Sequence, residues 1–299
     1  MSLINRNGGI ILNNFKLGII IDGMNLPFKE SIEKCASFGV DGIQVYAVNG
    51  EMAPENLTTA DIKEKRTILN NFGIDVSALC GDLGGYGFTR KDENISKIEK
   101  SKRIVDLALE MGTNIVTTHI GVVPEDSKCD KYMIMQEACN ELAEYAHSNS
   151  AYFAIETGPE PADRLKVFLD SLSSKGVAVN MDPANLVMVN GDDPVNAVRT
   201  LKDYIVHTHA KDGRRLQAID PQIVYDSFAE GGIEGLRLEE YFVELSLGQG
   251  DVNFDTYLAA LRDIGYNGYL TIEREFGDDP VADIWKAVEF LRGNKNYIC

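Results

Sequence analysis

Glu156, Asp182, His209 and Glu273 each close a short apolar run: Phe153-Ala154-Ile155-Glu156, Val179-Asn180-Met181-Asp182, Val206-His207-Thr208-His209 and Leu270-Thr271-Ile272-Glu273. Three carboxylates massed beside an imidazole would raise one another's pKa values unless a cation neutralised them. A divalent ion is therefore the simplest occupant if the four side chains converge. Oxygen-rich ligation with one imidazole suits Mn2+, Mg2+ or Co2+, admits Zn2+, and disfavours a thiolate-selected metal. Any one of these residues alone reads equally well as a strand cap or half of an ion pair. Four on successive runs make coincidence the weaker explanation, so the expected cofactor is one divalent metal ion.

The elements that would bring such distant residues together are legible as a rhythm. β-rich runs at 16–22, 41–47, 74–80, 114–119, 152–157, 177–182, 204–209 and 268–273 are bounded by Gly, Asn, Asp or Pro. Stretches of helical period lie between and after them, at 27–38, 59–72, 94–111, 131–147, 162–173, 194–201, 254–264 and 281–291. Glycines following Phe38, Phe72, Met111, Lys175 and Ile264 stand where left-handed helix C-caps are needed. Strand alternating with helix implies parallel pairing through right-handed crossovers, and eight such units close the sheet. The expected fold class is thus α/β, a (β/α)8 TIM barrel. A length of 299 residues suits one barrel of the usual ~250 residues with insertions, so residues 1–299 are read as a single domain. The insertion is visible: about forty residues, 210–253, separate the seventh strand from the next helix, and connections that long are functional or partly structured. Within it, 236–243 reads as either a short helix or a strand.

Composition narrows the partners. A net charge of −17 repels phosphate backbones and anionic lipid, which argues against nucleic acid and membrane surfaces, although solubility alone also explains it. The five cysteines, Cys35, Cys80, Cys129, Cys139 and Cys299, are scattered without CxxC spacing, which fits a reducing cytoplasm. The apolar residues 9–12 and 17–21 are interrupted by Asn13, Asn14 and Lys16, far short of the ~20 that span a bilayer, and no cleavage pattern of a signal peptide follows.

The C-terminal half resembles the xylose isomerase-like sugar isomerase and epimerase barrels. The pieces that carry the resemblance are Ile155-Glu156-Thr157, Asn180-Met181-Asp182-Pro183-Ala184-Asn185, His207-Thr208-His209-Ala210-Lys211-Asp212, Leu247-Gly248-Gln249-Gly250-Asp251-Val252-Asn253-Phe254 and the stretch from Gly265-Tyr266 to Ile272-Glu273. The N-terminal half matches in its strand-helix rhythm and in Thr118-His119-Ile120-Gly121. The resemblance implies metal ligands at Glu156, Asp182, His209 and Glu273. It also implies a second duty for the two glutamates, exchanging protons with a carbon beside a carbonyl through a metal-stabilised enediolate. Where ketose 3-epimerases place another His three residues after the metal Asp, this chain has Asn185; an Arg six residues after the metal His is present as Arg215. A small carbohydrate substrate and assembly as a homodimer or homotetramer go with such barrels.

Other candidates surround these. His119 ends the fourth run beside a glycine and is read as a hydroxyl-binding residue, against the alternative of a structural imidazole. Lys211 and Arg215 are read as substrate-binding or as partners of Asp182 or Asp212, and Glu275 shares the face of Glu273 if the extended chain continues. His207 is expected in mid-strand. Trp285 is expected in the core, and the loop Gly84-Gly85-Tyr86-Gly87-Phe88 reads more readily as a flexible connection than as a cover over a sugar. The function expected is a metal-dependent isomerase or epimerase of a small sugar, sugar phosphate or polyol ketone; the alternative is a dehydratase of an inosose-type ketone, which begins with the same proton abstraction. An endonuclease IV-like phosphodiesterase would need a histidine-rich zinc cluster and a basic surface, and four histidines with this net charge weigh against it. A non-catalytic sugar-binding barrel has no use for both glutamates.

Overall fold

A computed structural model describes residues 15–275, 277 and 279–297. Residues 9–14 and Cys299, weighed above, lie outside them. Strands β1 (Lys16–Ile20), β2 (Gly42–Tyr46), β3 (Asp75–Cys80), β4 (Ile115–Thr118), β5 (Tyr152–Glu156), β6 (Val177–Met181), β7 (Ile205–Ala210) and β10 (Tyr269–Ile272) close into a parallel barrel, ordered β1-β10-β7-β6-β5-β4-β3-β2. Each overlaps one of the eight runs expected from the sequence. Helices α1 (Phe28–Phe38), α2 (Thr59–Phe72), α3 (Lys91–Met111), α4 (Asp130–Ser148), α5 (Ala162–Asp170), α7 (Pro194–Thr200), α9 (Phe254–Asp263) and α10 (Pro280–Gly293) alternate with them, and α6 (Pro183–Asn185) is one turn that runs into a π-helical turn, Leu186–Asn190.

Apolar side chains of the strands, among them Ile19, Ile43, Leu79, Val116 and Phe153, are fully buried, as expected where helices cover a parallel sheet. The inner wall is more polar. Gln44 on β2 bonds Thr117 on β4 at 3.2 Å, and His207 on β7 lies 3.1 Å from Thr271 on β10 and 3.5 Å from Ser77 on β3. Two of these contacts, β2 with β4 and β7 with β3, join strands that are not neighbours, which requires the side chains to point inside the barrel. That layer is the floor on which the site stands.

The insertion is more ordered than its composition suggests. It contains β8 (Asp212–Arg215), α8 (Pro221–Glu230) and β9 (Phe242–Leu245), with β8 and β9 paired antiparallel. The ambiguous 236–243 resolves into a 3-10 turn, Leu238–Glu240, followed by β9. Asp212 anchors the whole excursion: its carboxylate accepts the backbone N–H groups of Gly213, Gly248, Gly250 and Val252 at 2.8–3.1 Å. An alanine at this position orphans four donors. We expect Asp212→Ala to loosen residues 213–252 first, read as a gain of amide hydrogen exchange there that exceeds the change in the barrel strands.

Three expectations are corrected. Gly176 does not cap a helix in the left-handed region, since α5 ends at Asp170; instead a Cβ there would lie 2.0 Å from the Ala143 carbonyl oxygen, so glycine is required by close passage against α4. Trp285 is not core but 38% exposed, packed on Phe38 with ring centroids 5.1 Å apart. The glycine loop after β3 is no free connection: Tyr86 hydrogen-bonds Glu230 on α8, and Phe88 is buried edge-on against Phe153. Among the described residues the four cysteines are unpaired, and no helix is long and apolar enough to cross a membrane.

Candidate metal centre

Glu156 is the last residue of β5, Asp182 follows β6, His209 is the penultimate residue of β7 and Glu273 follows β10. Parallel strands in register deliver all four to the same end of the barrel. One donor atom from each lies within 4.8 Å of every other, and all four residues are buried.

Local chemistry sets each donor. Asp182 caps the turn α6: its Oδ1 accepts the Asn185 N–H at 2.8 Å. Its own N–H donates to Thr157 Oγ1 at 2.8 Å, and that hydroxyl donates back to the Asp182 carbonyl at 2.9 Å, which locks the ends of β5 and β6 together. Asp182 Oδ2 is left buried with no hydrogen bond, and so is Glu273 Oε2. His209 Nδ1 faces both, at 3.4 and 2.8 Å, and Glu156 Oε2 at 3.6 Å. Two unsatisfied anionic oxygens beside an imidazole nitrogen are the donor set a dication satisfies.

The charges agree. Burial disfavours a charged ring at His209, yet Glu273 and Glu156 outweigh it and raise its pKa well above the ordinary value, so the cluster draws positive charge to this point. Burial pushes Glu156 up to about 7, whereas Lys211 and His209 overcome burial at Glu273 and hold it below the usual carboxylate range.

Residues the sequence did not single out hold these donors in place. Gln44 Oε1 lies 3.2 Å from His209 Nε2, and the Gln44 amide nitrogen is already given to Thr117. Gln44 therefore accepts from Nε2–H, which turns Nδ1 toward the carboxylates. We expect Gln44→Leu to keep the fold but weaken Mn2+ binding by roughly 10- to 100-fold, measured by calorimetric titration. His207, found in mid-strand as expected, stays neutral because burial drives its pKa well below the ordinary value; it meets Asn180 Oδ1 at 3.0 Å, and Asn180 Nδ2 donates to Glu156 Oε2 at 3.3 Å. Glutamine and asparagine inside a buried strand leave only a weak signal: a polar residue where an apolar one packs.

The substrate-binding candidates divide. His119 lines the cavity above the cluster, its Nδ1 3.0 Å from Asp82 and its Nε2 3.5 Å from Glu156; burial opposes charge on the ring, but Glu156 and Asp82 lift its pKa to about 10. Asn185 donates to Glu156 Oε1 at 2.7 Å, a position that depends on Gly158, where a Cβ would meet that of Asn185 at 2.5 Å. Lys211 is buried and pairs with Glu275 at 2.7 Å and Glu273 at 3.4 Å, not with Asp182 or Asp212. Glu275 borders the cavity as its shared face with Glu273 requires. Arg215 is not brought there: on β8, it donates to the Asn190 carbonyl at 3.0 Å, outside the cavity wall.

Glu160, also missed, ties the loop after β5 to the segment after β4 by accepting the Val123 N–H at 3.0 Å. Its other oxygen is buried without a partner, and burial pushes its pKa up to about 7. The folded chain therefore holds this proton between about pH 4.5 and 7 while the unfolded chain has lost it, so stability falls as pH rises through that window. Glu160→Gln is expected to unfold at higher denaturant than the parent at pH 8, by on the order of 3 kcal/mol, with the difference vanishing near pH 4.

A sequence profile of the xylose isomerase-like TIM barrel family matches residues 32–293. The chain belongs to that family. Within the xylose isomerase-like barrels it is similar to the solved structure of a xylose isomerase domain protein from Planctomyces limnophilus, with 27% identity, a TM-score of 0.76 and coverage of 94% of this chain and 96% of that one. An inosose dehydratase from Lacticaseibacillus casei is 30% identical over 137 residues, 45% of this chain and 42% of the relative. The structure of D-psicose 3-epimerase shares the fold at 18% identity, with a TM-score of 0.68 over 93% of this chain and 98% of that one.

Proposed function

We propose that the chain is a divalent-metal-dependent sugar isomerase or epimerase that removes a proton from a carbon next to a carbonyl. The observation that carries this reading is the buried Glu156, Asp182, His209 and Glu273 cluster with its two unsatisfied carboxylate oxygens, at the end of the barrel where this family's architecture places chemistry. A divalent ion held there, Mn2+, Mg2+ or Co2+ by donor type, supplies polarisation of the carbonyl and counter-charge for the electrons the departing proton leaves behind.

The chain's own groups do the rest. Glu273, kept ionised by Lys211, takes the proton; Glu156, with a carboxyl poised near neutrality, returns one from the other side of the cluster. Asn185 and Asn180 hold the Glu156 carboxylate from two directions. His119, oriented by Asp82, donates to a substrate hydroxyl. The partner is a small carbohydrate, and neither nucleic acid nor membrane is needed.

The test is purified protein freed of metal, then given Mn2+ or Mg2+ in D2O with a panel of ketoses and inososes. Metal-dependent deuterium uptake at the carbon beside the carbonyl supports the proposal; no uptake from any member with any ion overturns it. The similarity to inosose dehydratase favours a second reading, in which the same abstraction is followed by loss of a β-hydroxyl and His119 serves as the acid. Product carrying one water fewer than substrate selects that reading.

A further inference from the structure

The cavity over the cluster measures about 650 Å³, within the range of about 300–1,000 Å³ that buries whole drug-sized molecules. Beside the polar cluster, and interleaved with polar side chains, the lining carries a group of apolar ones. Val122, Val189, Tyr225, Leu238, Phe242 and Val243 are among them, and four of these six come from the insertion between β7 and α9. The Tyr225 ring lies 5.7 Å from that of His119.

Charge is one-sided. Among the described residues seven carboxylates line the cavity against two lysines and no arginine. Lys211 is paired with Glu275 and Glu273, while Lys131 donates to the neutral Gln222 amide at 2.6 Å. Arg215, which donates to the Asn190 carbonyl, and Arg274, which pairs with Glu244 and Asp283, lie outside the lining. A phosphate or carboxylate would meet many more acidic groups than cations.

We infer that the substrate is an uncharged sugar bearing an apolar substituent, of the kind an aryl or alkyl glycoside presents, in preference to a sugar phosphate. The polar ring occupies the cluster, and the substituent fills the wall built by α8 and β9. This deepens the reading given under Proposed function and rests on it for the position of the ring.

The experiment is calorimetric titration of the full chain, with and without Mn2+, using methyl and phenyl β-D-glucoside, β-D-galactoside and β-D-xyloside, together with glucose and glucose 6-phosphate. In at least one pair the phenyl glycoside is expected to bind about tenfold or more tightly than its methyl counterpart, since burying a ring removes a large apolar area from water. Leu238→Ser and Phe242→Ser are expected to shrink that ratio, and glucose 6-phosphate is expected to bind no better than glucose. Equal binding of phenyl and methyl compounds in all three pairs, or preference for the phosphate, overturns the inference; the comparison within the parent protein does not depend on either variant folding. Phenyl preference in a protein that shows no Mn2+ binding and no deuterium exchange would instead count against the metal-dependent reaction alone.

Discussion

Glu273→Gln is expected to lower solvent-deuterium exchange into substrate by about 100- to 10,000-fold, and Glu156→Gln by a similar factor, the range over which positioned acids and bases act. The amide is nearly isosteric, and of the two hydrogen bonds that Glu156 receives, from Asn185 on Oε1 and from Asn180 on Oε2, one keeps an oxygen to accept it. What the amide cannot do is take a proton. Because both residues also belong to the donor set, Mn2+ affinity must be titrated on each variant, and exchange compared with the site saturated. Loss in kcat at saturating metal assigns the residue to proton transfer. A variant that binds Mn2+ and keeps full exchange would remove that glutamate from the chemistry.

The second large effect concerns the ion itself. Mn2+ at a hundred times its Kd should stabilise the folded chain by about 2.7 kcal/mol, provided that it does not bind the unfolded state. Asp182→Ala should abolish that gain. In the absence of metal the same variant should cost about 1 kcal/mol, because the Asn185 N–H loses its cap. The metal dependence is diagnostic: removing a purely structural aspartate leaves the Mn2+ gain unchanged, whereas removing a ligand abolishes it. Thermal unfolding of both proteins with Mn2+ and with a chelator reads it directly.

Much of this site was legible in the residues alone. The barrel strands announce themselves because a parallel sheet covered by helices demands continuous apolar runs, and the four donors because charged residues end such runs only at the mouth. Other features were hidden for identifiable reasons. Gln44 and Asn180 act from inside strands, where the barrel's interior tolerates polar groups that cross-bond, a property of closure and not of any local pattern. Helix α8 did carry signals, an Asp220 cap, Pro221 at the first turn and Gly231 after its end, but in a stretch with no strand to follow they read as loop chemistry. Arg215 shows the opposite failure: its spacing from His209 fits a substrate contact, yet the turn into β8 carries it away to Asn190.

Tyr86, which lines the cavity from the loop after β3, hydrogen-bonds the exposed Glu230 at the end of α8. A neutral hydroxyl on a solvated carboxylate adds little to stability. Such a latch is easily undone, and the glycines at 231, 232 and 235, all in left-handed backbone conformations with no neighbour within 4 Å, follow it immediately. Two walls of one cavity, one from the first half of the barrel and one from the insertion, are thereby joined by a contact that water can compete for.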